Sequence, residues 1–247
     1  GLSMITIAAS MFFAEISGSA VADVAALGSI LIPAMKKKGY PAPFAAAVCS
    51  SAASLAVIIP PSIPMILYAV MAQTSVVQLF VAGIIPGIIG GFGMMFVSYL
   101  YAKKKNLPIE ENFNLKNVRK TGKEALLAFV LPVVILGGIF GGFVTATEGA
   151  GLAVVASLLI GVIYRELNFK KLFEATTEGG SQTAIVMLLV ASSVLIGEFL
   201  TIEQVPQKVA ASIIDFTTNK YAILAILNVF LLVIGFFLHS AAAIILV

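Results

Sequence analysis

An all-α polytopic membrane protein is the fold class this sequence predicts, and three observations carry the prediction. Apolar residues fill 60% of the 247 positions and charged residues only 11%, with a mean hydropathy of +1.07. An ordinary soluble domain has roughly 25% charged residues. The apolar residues fall in runs of helical length, and the lysines and arginines cluster in short segments between them. A net charge of +3 and a pI near 9 therefore read as membrane orientation under the positive-inside rule, with lipid as the partner and no nucleic acid expected. The single Cys49 excludes an internal disulfide, and the single His239 excludes a histidine-cluster transition-metal site. Gly1 in place of Met and the apolar end AAIILV give the expectation of a fragment lacking both ends.

The elements follow in order. Leu2 to Phe13 and Ala20 to Met35 are apolar stretches too short for a comfortable crossing, and the polar cluster AEISGSAVAD stands between them. A third run from Pro43 to Ala72 is interrupted by IIPPSIP at Ile58 to Pro64, and a fourth covers Val76 to Tyr101. Asn106 to Glu124, with charges of both signs, reads as an interfacial helix. Ala125 to Val144, Ala150 to Tyr164 and Ala184 to Leu200 read as crossings. TIEQVPQKVAASIIDFTTNK then lies amphipathically, and Tyr221 to Leu238 descends to HSAAAIILV. The alternation places Lys36 to Lys38, Lys103 to Lys105, Arg165, Lys170 and Lys171 on the cytoplasmic side.

Two short, interrupted elements decide the functional expectation. Inside lipid every backbone N–H and C=O needs a partner, so irregular backbone survives only where protein buries it or water reaches it. Ser17, Gly18 and Ser19 in succession favour a re-entrant turn between two half-helices, with Asp23 one turn on. Carbonyls, hydroxyls and a carboxylate suit a hard cation such as sodium, and the start of the following half-helix suits an anion. In VIIPPSIPM, three prolines in five positions remove N–H donors and leave Ile58, Ile59 and Ser62 offering carbonyls or a hydroxyl. Close helix packing through small residues, with Glu15 and Asp23 in the headgroup region, remains an alternative for the first element, and a simple proline kink for the second. The corresponding shapes of FFAEISGSAVADVAAL and FFLHSAAAIILV point to an inverted-repeat transporter with a midplane site.

SGSAVADVAALGSILIPAMKKKGY, IIPPSIPMILY and FVAGIIPG resemble the large permease (DctM-like) subunit of tripartite ATP-independent periplasmic (TRAP) transporters. GGIFGGFVTATEGAGLAVV, YREL and LTIEQVPQKVA extend the resemblance over nearly the whole chain. It implies an elevator-type fold of two inverted repeats, each with a helical hairpin and a broken helix. It further implies sodium-coupled uptake of a dicarboxylate, sialic acid or similar small organic acid across the bacterial inner membrane. The implied partners are a small membrane subunit and a periplasmic substrate-binding protein, with Na+ as coupling ion and no other cofactor. By position, the resemblance implies sodium contacts at Ser17, Gly18, Ser19, Asp23, Pro60 and Ser62, and substrate contacts at Ser17, Ser19, Pro61, Ser62, His239 and Ser240.

Under that resemblance residues 1–101 hold the first-repeat transport elements, 102–124 a cytoplasmic interfacial segment, 125–218 scaffold-type helices with an amphipathic arm, and 219–247 the start of a second hairpin. His239 stands where the resemblance leads one to expect an acid, and TATEGAG departs from the usual TPTEAAA. Thr145, Thr147 and Glu148 read as a helix-start cap and not as transport residues. Another ion-coupled anion transporter and a passive channel are the competing readings. An enzyme is not expected, because the chain has one histidine, no HExxH helix and no clear carboxylate partner for Asp23.

Overall fold

The computed structural model describes residues 1–107, 122, 129–238 and 240–246, and every regular element among them is helical. The described chain forms two compact units, Gly1–Leu167 and Asn168–Val247.

In the first unit, α1 (Leu2–Ser17) and α2 (Ala20–Lys37) form a hairpin whose turn is Gly18 and Ser19. Gly18 closes α1 in the left-handed region at φ 59°, where a residue without Cβ is unstrained. Ser19 is extended and opens α2, its hydroxyl accepting from the Ala22 amide. Lys36 and Lys37 in the last turn of α2 complement the negative end of the helix.

α3 (Ala42–Ala53) starts just after Pro41 and packs against both limbs of the hairpin. It tightens into a 3-10 turn at Ser54–Val57, and the chain then runs without helix to Ser62, the cap of α4 (Ile63–Met71). α5 (Val76–Lys104) is a continuous helix, while α6 (Val130–Phe140) and α7 (Ala146–Ile163) pack as a pair.

Apolar burial ties these parts together. Ala14 of α1 packs with Leu55, Ala56 and Ile59 beside the break, and Ile7 packs with Val48 and Ala52 of α3. At the basic end Met35, Tyr40 and Ala45 form a further cluster, with Phe44 stacked on Tyr101 at 4.2 Å. Phe80, Ile135 and Ile139 join α5 to α6.

The second unit contains α8 (Phe169–Ile202), α9 (Val205–Phe216), α10 (Lys220–Phe237) and α11 (Ser240–Leu246), with α11 packed against α8 and α10. α8 starts well before the expected crossing at Ala184, because Asn168 caps it and the FKKLFEATTEGG segment continues the same helix. The hydroxyls of Thr176, Thr177 and Thr183 bond back to carbonyls four residues earlier, so these polar positions leave the helix intact. Its 34 residues extend about 51 Å at 1.5 Å per residue, longer than a hydrocarbon core of about 30 Å.

α5, α7, α8 and α10 are long and apolar enough to cross a membrane. α1, α3 with its 3-10 turn, and α6 are apolar but shorter. The expected interfacial helix lies almost wholly outside the described residues, as do the first residues of the crossing expected from Ala125.

Candidate functional site

The turn between α1 and α2 folds around a carboxylate. The Ser17 hydroxyl donates to Asp23 Oδ1, and Ser17 Oγ in turn accepts from the Ser19 amide at 3.3 Å. Asp23 sits in the first turn of α2, where the helix end favours negative charge. It is only 1% exposed, and its Oδ2 has no hydrogen-bond partner among the described residues. An unpaired buried carboxylate oxygen is costly unless a cation or a proton meets it. Asp23 is therefore fixed by one oxygen and left with the other to give.

The break between α3 and α4 supplies neutral oxygens. Pro60 and Pro61, joined by a cis peptide bond, carry no N–H. No described residue donates a hydrogen bond to the carbonyl of Ile58, Ile59, Pro60 or Pro61. Ser62, fully buried, donates its hydroxyl to the Val57 carbonyl at 2.6 Å and accepts from the Met65 amide at 3.4 Å. It spans the break and caps α4, so its hydroxyl proton is already committed within the protein.

These two irregular segments touch. The Ile63 amide donates to the Gly18 carbonyl at 3.4 Å, and a Cβ placed on Gly18 would stand 2.7 Å from the Pro61 carbonyl oxygen. Only glycine allows both the left-handed turn and this backbone approach. Ser17, Gly18, Ser19, Asp23, Pro60, Pro61 and Ser62 thus belong to one contiguous cluster. Its oxygen donors fit a hard cation by chemical type. Among the described residues no group of three or more His, Cys, Asp or Glu side chains stands in metal-binding array.

The break is seated on two glycines of α5, and a third in the same row faces α1. A Cβ on Gly83 of α5 would run into the Ile58 carbonyl oxygen, and one on Gly87 would meet Ile59 Cγ1 at 2.6 Å. One on Gly91 would run into Met11 Sδ. The four-residue spacing in GIIPGIIGG, one face of a helix, was the available signal.

Ser98 ties α5 to α1. It is 4% exposed and donates at 2.8 Å to Ser3, which is 1% exposed. Ser240 begins α11 in the second unit, and His239 lies outside the described residues. Thr145 and Glu148 form a complete capping box at the start of α7, as their spacing predicts.

Comparison with known proteins gives the same family along the full length. The profile of the tripartite ATP-independent periplasmic transporter, DctM component, matches residues 1–247. The isethionate TRAP transporter permease protein DctMQ of Oleidesulfovibrio alaskensis is 42% identical over 99% of this chain and 39% of its own length. The C4-dicarboxylate TRAP transporter large permease protein DctM of Pseudomonas aeruginosa is 37% identical over 99% of this chain and 57% of its own. The sialic acid TRAP transporter large permease protein SiaM of Vibrio cholerae is 34% identical over 99% of this chain and 58% of its own. The chain therefore spans 39–58% of the length of these relatives.

Proposed function

The chain belongs to the tripartite ATP-independent periplasmic transporter family, DctM component, and from that premise we propose that it carries the first ion- and substrate-holding elements of a large permease. The permease takes up a small organic acid, a carboxylate, across the bacterial inner membrane, driven by sodium. It works with a small membrane subunit and a periplasmic substrate-binding protein. Relatives named for C4-dicarboxylate, sialic acid and 2,3-diketo-L-gulonate support the substrate class.

The observation that carries this reading is the buried Asp23 with its Oδ2 unpaired, in a turn that abuts a stretch of free carbonyls. Sodium is held by that oxygen and by carbonyls of the turn and the break. Neutralising Asp23 then lets an organic anion approach the starts of α2 and α4, where the helix ends favour negative charge. Cation first and anion second gives coupling without a lysine or arginine in the site. Because Gly18 binds turn to break by a hydrogen bond and a close approach, the two move as one body in an elevator stroke.

Purified full-length permease, reconstituted in proteoliposomes with its small subunit and binding protein, tests the proposal. The expected result is saturable uptake that requires a sodium gradient. Flux linear in substrate and indifferent to sodium is the behaviour of a passive channel and overturns it.

A further inference from the structure

A second acid stands in the same unit, and the proposed sodium cluster does not use it. Glu15 is on the last turn of α1, two residues before Ser17. Its carboxylate forms neither a hydrogen bond nor an ion pair with a described residue. It lines a half-open pocket of about 430 Å³ between α1, the break, α5 and α6, in which Phe12 and Phe92 are themselves more than half exposed. That volume falls within the range of small-molecule sites, about 300–1,000 Å³.

The walls are otherwise apolar, with Met11, Phe12, Pro60, Phe92 and Phe140 among them. The basic residues described in this unit lie at helix ends, at Lys36 to Lys38, Lys103 to Lys105 and Arg165. An unpaired acid among apolar walls is met either by a proton or by a partner of opposite charge. The negative faces of aromatic rings likewise attract a cation, most strongly when it is desolvated. An organic anion meets the wrong sign here, which sets the cavity apart from the substrate's path.

We propose that this cavity binds an amphiphilic organic cation, a quaternary or primary alkylammonium, with its head against Glu15 and the phenylalanines and its tail along Met11 and α5. Charge complementarity commits the site to a cation. The apolar walls select one that carries a tail, and small hydrated ions gain nothing from them. Pro60 belongs both to this cavity wall and to the break, so an occupant wedges against the element that contacts the hairpin turn.

Equilibrium binding of hexyltrimethylammonium to the full-length permease in nanodiscs tests the site, with empty nanodiscs as background and without sodium or substrate. Its carbon isostere 2,2-dimethyloctane has the same shape and no charge. Saturable binding of the cation is expected, about tenfold tighter than the isostere. Glu15→Gln abolishes that difference, Phe92→Leu weakens cation binding several-fold, and Asp23→Asn leaves it unchanged. Equal affinity for the two probes, or undiminished cation binding in both Glu15→Gln and Phe92→Leu, overturns the proposal. So does the absence of saturable binding. The readout needs no transport, so the site stands or falls apart from the sodium reading.

Discussion

Two helix starts in the first unit use nearly the same chemistry to opposite ends. At α7, Thr145 and Glu148 close on each other. Glu148 Oε2 accepts from the Thr145 amide at 2.8 Å and from its hydroxyl at 2.9 Å, and Thr145 Oγ1 accepts from the Glu148 amide at 3.3 Å. The box is exposed and its groups satisfy one another. At α2, Ser17, Ser19 and Asp23 also unite hydroxyls, an acid and a helix start, but Asp23 is buried and Oδ2 is left over. The difference lies in spacing and burial. An acid three residues after the cap reaches back to complete a ring of bonds, whereas Asp23, four residues after Ser19, is held by Ser17 from the preceding helix. A self-satisfied cap is structure; an unsatisfied buried one is a place for something else.

The largest expected effect comes from forcing the second arrangement apart. Gly18→Val adds a β-branched side chain at positive φ and drives Cβ toward the Pro61 carbonyl, a backbone atom that cannot swing aside. Uptake in proteoliposomes falls roughly a hundredfold, the equivalent of about 3 kcal/mol of strain. Gel filtration and thermal melting of the same sample report whether the fold persists. Near wild-type uptake in a folded Gly18→Val protein removes the contact between turn and break from the mechanism.

Asp23→Asn sharpens the comparison at the level of charge, since the amide keeps the side chain's shape. The expected outcome is a rise of roughly tenfold in the sodium concentration for half-maximal uptake, about 1.4 kcal/mol, with membrane insertion intact. An unchanged half-saturation means that the free oxygen does not meet sodium.

Most of this architecture is legible in the sequence, and for a physical reason. Lipid forbids unpaired backbone, so SGS and IIPPSIP stand out against their apolar surroundings as places where helix stops, and both do. The T-x-x-E box is equally plain, because its bonds are all local. Contacts between distant segments are harder to read. Sequence places Ser17 beside Asp23, but nothing local puts Gly18 against Pro61 or Ile58 against Gly83. Likewise nothing local announces the bond from Ser98 to Ser3 across 95 residues. α8 begins earlier than hydropathy suggests because helix persists through polar threonines that pair with their own backbone. Glu15 was visible as an acid, whereas the cavity it lines is a product of packing alone.

Gly83→Ala probes a contact of intermediate weight. The added methyl meets the Ile58 carbonyl, but it does so behind the break, and helical φ carries no penalty for alanine. To relieve it, the backbone of the break must move by nearly an ångström away from α5, and the Met65 side chain must swing aside. A several-fold rise in the sodium requirement is expected, of the order of 1 kcal/mol, together with a lower melting temperature, because alanine's better helix propensity offsets only part of the strain. A lower melting temperature with an unchanged sodium requirement assigns the glycine row to packing alone.

The smallest effect belongs to the satisfied cap, and it completes the contrast. Thr145→Ala removes the oxygen that receives the Glu148 amide and the hydroxyl that Glu148 holds. The Glu148 carboxylate keeps the Thr145 backbone amide and has water at hand, so no buried group is orphaned. Loss of a helix cap lowers the melting temperature by about 2–4 °C in a protein of this size. Sodium half-saturation and maximal uptake stay at the wild-type values, because every bond removed begins and ends inside the box. If Thr145→Ala moved the sodium dependence as far as Asp23→Asn does, unsatisfied valence would lose its power to tell a ligand site from a cap. The acid at α7 would then have to be counted among the groups that meet the ion.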